Sequence, residues 1–289
     1  AYEHKEHVAK NRTIAATTSK DGAIVADCRI CGETFKTVKT IAKINAVSLS
    51  SSSYTYDGSA KKPGVTVTDA NGAKIASSNY SVAYSNNVKK GTATATVTFK
   101  GNYSGTVKKT FIIYPAKVSN VKLSSTSYTY NGKTKTPSVT VKDSKGRKLK
   151  KGTDYTVKYS SGRKNVGRYA VKVTFKGNYT GSKTVYYYIV PKSTSISRVS
   201  ALRKGFKLSW KKQKTQTTGY QIQYSTSKKF KKAKAVNVSK NKTTSKSIKK
   251  LSSKKKYYVR VRTYKKVKIN GKTKKVYSSW SKTKTVKTR

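Results

Sequence analysis

Four side chains near the start of the chain have types and spacings that could hold a metal. His4 and His7 form an H-x2-H pair, and Cys28 and Cys31 form a C-x2-C pair followed by Gly32. A tight C-x2-C-G turn brings two thiolates to one ion, and imidazoles can complete a tetrahedral Zn²⁺ shell. The order is inverted relative to a zinc finger, and H-x2-H is shorter than the usual His spacing, so a single His could serve. A local Cys28–Cys31 disulfide and a reduced redox pair are the competing readings. The expectation is at most one structural zinc and no other cofactor. Catalytic zinc is disfavoured, because Glu3, Glu6 and Glu33 are the nearby bases and none stands in an H-E-x-x-H arrangement.

Elsewhere the reactive groups run out. The last acidic residue is Asp154, the last His is His7 and the last Cys is Cys31, so residues 155–289 carry no carboxylate side chain, imidazole or thiol. Acid/base, nucleophilic and metal-assisted chemistry all need such groups. The chain is therefore expected not to be an enzyme.

What it has in excess is positive charge: 66 Lys and Arg against 9 Asp and Glu, a formal net charge of +57. Self-repulsion of that size is relieved by an anionic neighbour through counterion release. Anionic polysaccharide, teichoic acid and mucin-type polymers are the expected partners; no nucleic-acid motif accompanies the charge, so no specific nucleic acid is expected. A solvated Lys-rich skin that only keeps the chain soluble is the plainer alternative. No apolar run reaches the 18 residues that would suggest a membrane span, and a monomer is expected. Residues 1–20 lack the apolar core of a signal peptide, so Ala1 is expected to be a cut point, whereas SSWSKTKTVKTR would suit a natural C-terminus.

The elements that must carry these groups are strands. Met is absent and Thr, Ser, Val, Tyr and Lys dominate, which suits half-buried pleated surfaces. SLSSSSYTYDGSAKKPGVTVTD, starting at Ser48, recurs as KLSSTSYTYNGKTKTPSVTVKD, and VTFKGNYSG, starting at Val97, recurs as VTFKGNYTG. Tyr54 and Pro63 reappear as Tyr128 and Pro137, 74 residues on, while Val97 reappears as Val173, 76 on. So long a period indicates tandem independent domains rather than a solenoid. Period-2 alternation marks the strands, Asp57-Gly58 and Asn131-Gly132 read as hairpin turns, and Pro63 and Pro137 as strand starts or edges. Asp69 and Asp143 each precede a Gly by three residues, the pattern of a carboxylate opening a tight turn rather than a catalytic pair.

Y-T-Y-[DN]-G and V-T-F-K-G-N-Y-[ST]-G resemble the immunoglobulin-like repeats of secreted and wall-associated proteins of Gram-positive anaerobes such as clostridia. The resemblance covers about residues 44–191, and ATTSKDGAIVADCRICGETF is similar to short Cys-x2-Cys inserts that precede such repeats. From about Lys192, GFKLSWK, GYQIQYS and KYYVRVR resemble a fibronectin type III domain, with Leu251 six residues before Tyr257. In that family the Tyr ties its strand to the preceding loop. Lys stands in that loop, Ser252 to Lys256, where the family has Pro-Gly, and Trp280 is expected in the last strand.

The fold expected is all-β: a small Cys/His unit (1–43), two Ig-like sandwiches (44–115 and 116–191) and a fibronectin type III sandwich (192–289). Within the last, Lys207 and Lys211 lie opposite Trp210, and Arg260 and Arg262 lie opposite Val259; the pleat would lay them out as a positive stripe. Tyr186 to Tyr188 interleave with basic residues, though most tyrosines here should be packing. The function expected is an extracellular, cell-surface or secreted stalk and anchor that holds anionic wall or host polymers. The alternative is an adhesin whose loops recognise a specific host glycan or protein.

Overall fold

A computed structural model describes residues 8–289. The alternation of Val, Tyr, Phe and Ile with Thr, Ser and Lys is realised as strands with one dry and one wet face, as in Thr106–Tyr114, where Phe111 and Ile113 are buried and Ile112 and Tyr114 exposed. Among the described residues there is no α-helix, only a 3-10 turn at Ser77–Asn79. The chain divides into two compact units, Ala1–Val118 with Phe175–Gly181 and Ser119–Thr174 with Ser182–Arg289.

The first unit begins with a three-stranded antiparallel sheet in which Gly22–Cys28 lies between Ala9–Ile14 and Thr34–Ile41. It is tied to the following sandwich by two 2.9 Å backbone bonds, Ala16 N–H to the Asn102 carbonyl and Ser104 N–H to the Ala16 carbonyl. That sandwich sets a two-stranded sheet, Ile44–Leu49 with Val65–Asp69, against a four-stranded one ordered Ser53–Thr55, Thr106–Tyr114, Gly91–Phe99 and Tyr80–Ser85. Val47, Val67, Val97 and Phe99 fill one part of its core, and Ala93, Ala95, Phe111 and Ile113 the other.

The second unit repeats this plan. Asn120–Leu123 pairs with Val139–Lys142, and the four-stranded sheet runs Ser127–Thr129, Ser182–Val190, Gly167–Phe175 and Tyr155–Tyr159. Both copies share a closing device: Tyr84 Oη donates to the Pro63 carbonyl at 2.5 Å, and Tyr159 Oη to the Pro137 carbonyl at 2.7 Å. Asp69 Oδ1 accepts the N–H groups of Asn71 and Ala73, and Asp143 Oδ1 those of Lys145 and Arg147, so these carboxylates organise turns.

Asp57-Gly58 and Asn131-Gly132 do not close hairpins. The short strand before each pairs in parallel with a late strand, Ser53–Thr55 with Ile112 to Tyr114 and Ser127–Thr129 with Tyr188 to Val190, and the strand after each belongs to the other sheet. The dipeptide therefore turns a sheet-to-sheet crossing, with Asp57 Oδ1 accepting from Ser59 N–H at 2.8 Å.

The last sandwich packs a three-stranded sheet (Ile196–Leu202, Gly205–Trp210, Ser245–Ile248) on a five-stranded one. The latter contains Lys234–Val238, Gly219–Ser225, the 14-residue strand Lys256–Ile269, Lys272–Tyr277 and Lys284–Lys287. Phe206, Leu208, Trp210, Tyr220, Ile222, Val259 and Val261 form the core between them. Asn270 and Gly271, both at positive φ (51° and 75°), make the two-residue turn that returns the long strand as Lys272–Tyr277. Trp280 is in no strand: it lies between Lys272–Tyr277 and Lys284–Lys287.

Candidate anion-binding surface

The pleat separates the four basic residues of interest onto two sheets. Lys207 projects from Gly205–Trp210 opposite the buried Phe206 and Leu208, with Lys211 just beyond the strand end, and both are exposed. Arg260 and Arg262 project from Lys256–Ile269 opposite the buried Val259 and Val261. Because the two sheets face each other across one core, their wet faces point apart. The lysine pair and the arginine pair are therefore two patches rather than one stripe.

The arginine patch is a built structure. Its groups stack in the order Phe230, Arg260, Trp280, Arg262, Tyr277, with guanidinium-to-ring distances of 3.9, 4.5, 4.2 and 3.7 Å. Antiparallel register sets Gln223 beside Arg260 and Gln221 beside Arg262. Their Oε1 atoms accept from the Arg Nε atoms at 2.7 and 2.8 Å. Trp280 is held in place by serines on either side: Ser278 Oγ accepts the N–H of Thr263 and Ser281 Oγ that of Val261, each at 3.0 Å. Their own N–H groups return to the carbonyls of Thr263 and Val261. That clamp substitutes side-chain hydroxyls for ladder bonds, which is why Trp280 leaves the strand path.

Desolvation holds the pKa of both arginines below the ordinary value; at Arg262 the Tyr277 hydroxyl opposes this and Arg260 adds to it. Guanidinium nonetheless stays charged. With its faces stacked and its Nε occupied by Gln, each arginine offers an anion a fixed positive potential and leaves little of its fork open. Phe230, Gln221, Gln223 and the serine clamp escaped the sequence reading. The matched i, i+2 spacing of Gln221/Gln223 and Arg260/Arg262 was the available signal, but it becomes a column only once the strand register is fixed.

At the N-terminal sheet, Cys28 and Cys31 flank the tight turn between Gly22–Cys28 and Thr34–Ile41, closed by Gly32 N–H to the Cys28 carbonyl at 2.9 Å. Cys28 is buried and Cys31 exposed. Among the described residues no group of three or more His, Cys, Asp and Glu comes together. His4 and His7, the other candidate ligands, lie outside the described residues.

A family model described as a fibronectin type III domain matches residues 190–279, and one described as an MBG domain matches residues 119–193. No curated protein matches the chain. Similar solved structures include the FN1–FN3 domains of chicken CNTN1, 16% identical over 97% of this chain and 98% of that one with a TM-score of 0.32. Another is titin domains A168–A170, 14% identical over 98% of each with a TM-score of 0.26. No helix among the described residues is long and apolar enough to cross a membrane. The chain is thus a multi-domain β protein of Ig-like and fibronectin type III sandwiches, module types typical of extracellular proteins.

Proposed function

We propose that the chain is a non-catalytic stalk and anchor segment of a Gram-positive surface or secreted protein, holding anionic wall or host polymers through its basic faces. The observation that carries this reading is the charge: 66 cations against 9 acids, with no acidic side chain anywhere in residues 155–289. Arg260 and Arg262 illustrate the consequence, because their partners are glutamines and aromatic rings rather than carboxylates. Uncompensated positive charge on rigid sandwich faces suits a polyanion better than a small neutral ligand. The parts act as a Cys/His unit (1–43), two Ig-like modules (44–115 and 116–191) and a fibronectin type III module (192–289). The Cys28–Cys31 turn supplies two thiols for a structural zinc in this reading, with a local Cys28–Cys31 disulfide as the alternative.

The reading is tested by binding to isolated Gram-positive walls before and after their teichoic acid is removed. Retention that falls with the teichoic acid supports it; equal retention, or none on intact walls, contradicts it.

A further inference from the structure

Within the second unit, the second Ig-like sandwich and the last domain meet along a trough of about 540 Å³, lined among others by Ser127, Tyr186, Tyr188, Lys275 and Tyr277. One wall is the wet face of Ser182–Val190, where Tyr186 is 45% and Tyr188 37% exposed. Tyr187 between them is fully buried, its hydroxyl donating to the Lys135 carbonyl at 2.8 Å. The other wall is the hairpin strand Lys272–Tyr277. The junction is pinned: Val166 N–H donates to Gln216 Oε1 at 3.0 Å, Lys265 Nζ donates to the same oxygen, and Arg168 Nη2 donates to Asn270 Oδ1 at 2.9 Å. The Arg168 guanidinium lies 4.3 Å from the centre of the Tyr186 ring.

The internal repeat supplies a control for what the fold itself requires. With the 76-residue offset that relates Val97 to Val173, buried Tyr187 corresponds to buried Phe111, so the core position stays aromatic. The wet-face residues do not correspond: Tyr186 matches Thr110, Tyr188 matches Ile112 and Arg168 matches Thr92. The same sandwich is therefore built without these three groups; in the second copy Arg168 serves the junction with Asn270, while Tyr186 and Tyr188 remain partly exposed on the trough.

We propose that this trough binds an acidic glycan, with a sugar ring lying on Tyr188 and its carboxylate or sulfate facing Lys275, while Arg168, stacked on Tyr186 and bonded to Asn270, holds the wall in place. An aromatic face packs against the apolar C–H face of a sugar ring, while the cation selects for negative charge. A base-bearing polymer could use the same platforms; the extracellular module types favour the glycan. The assignment rests on the anionic-polymer reading above.

The test compares the full chain with the variant Tyr186→Thr/Tyr188→Ile, which carries residues the first copy already accommodates. The probes are an oligogalacturonate, inorganic polyphosphate and a thymidine oligonucleotide. The variant is expected to lose about tenfold or more in oligogalacturonate affinity while its polyphosphate affinity is unchanged. The difference should persist at about 0.5 M salt, where exposed charges are screened. Equal oligogalacturonate affinity of variant and parent overturns the trough and leaves the anchor reading standing. Failure of the parent to hold polyphosphate or oligogalacturonate overturns both. Selective loss of the oligonucleotide instead overturns the glycan assignment.

Discussion

The Arg262 guanidinium lies between two aromatic faces, 3.7 Å from the centre of the Tyr277 ring and 4.2 Å from that of Trp280, while Gln221 Oε1 takes its Nε at 2.8 Å. Removing Trp280 breaks this stack and the neighbouring one on Arg260. Each partly desolvated cation–π contact contributes about 0.5–2 kcal/mol. Trp280→Ala should therefore lower the stability of the last domain by about 2 kcal/mol, and Arg262→Lys by about 1 kcal/mol, since Lys keeps the charge without the planar fork. Urea unfolding curves check both; a loss under about 0.5 kcal/mol for Trp280→Ala would show the ladder to be incidental.

The paired hydroxyls of Tyr84 and Tyr159, each donating to a proline carbonyl, predict equal effects in the two copies. Tyr84→Phe and Tyr159→Phe should each cost about 1 kcal/mol, the worth of one intramolecular hydrogen bond. Thermal unfolding of the two variants checks this, and a large difference between them would contradict a shared device.

Lys254 stands at φ 52° in the loop before Tyr257, a left-handed conformation that glycine adopts without strain. Lys254→Gly should raise stability by about 0.5–1 kcal/mol, the relief of the left-handed penalty less the entropy of glycine. Gly219→Ala should do the opposite, because its added methyl would lie 2.0 Å from the Val238 carbonyl and 2.9 Å from Tyr264 Oη. The expected loss is at least about 2 kcal/mol, and denaturant midpoints read both signs.

Asp27 has its pKa lowered, first by the hydrogen bond from Arg12 and then by that from Thr34. A depressed folded value means the contribution is present above the ordinary value of 3.8 and is lost as the pH falls through the folded one. Amide protection in Ala9–Ile14 should therefore decline on acidification below that value, and Asp27→Asn should abolish the decline. Hydrogen exchange across an acid series checks it; an unchanged profile in the variant would show that other groups drive the loss.

The strands and the all-β sandwich class were legible because their cause is local: alternation at Val97 and Phe99 or Val259 and Val261 buries one face wherever the partner lies. Asp57-Gly58 misled because a turn dipeptide reveals the bend but not which sheet receives the chain afterwards. Trp280 was misplaced for a related reason, since only the long-range bonds of Ser278 and Ser281 to Thr263 and Val261 pull it off the strand path. The division of Lys207 and Lys211 from Arg260 and Arg262 into two patches follows from the pairing of Gly205–Trp210 and Lys256–Ile269 into different sheets, a non-local fact.

If uncompensated charge holds the chain to polyanions, binding to purified teichoic acid must respond to salt, and a salt titration reads that response. The expected result is a straight, steeply negative plot of log affinity against log salt, with measurable binding at about 0.15 M, as counterion release requires. Binding that is flat with salt, or absent at about 0.15 M, would contradict it.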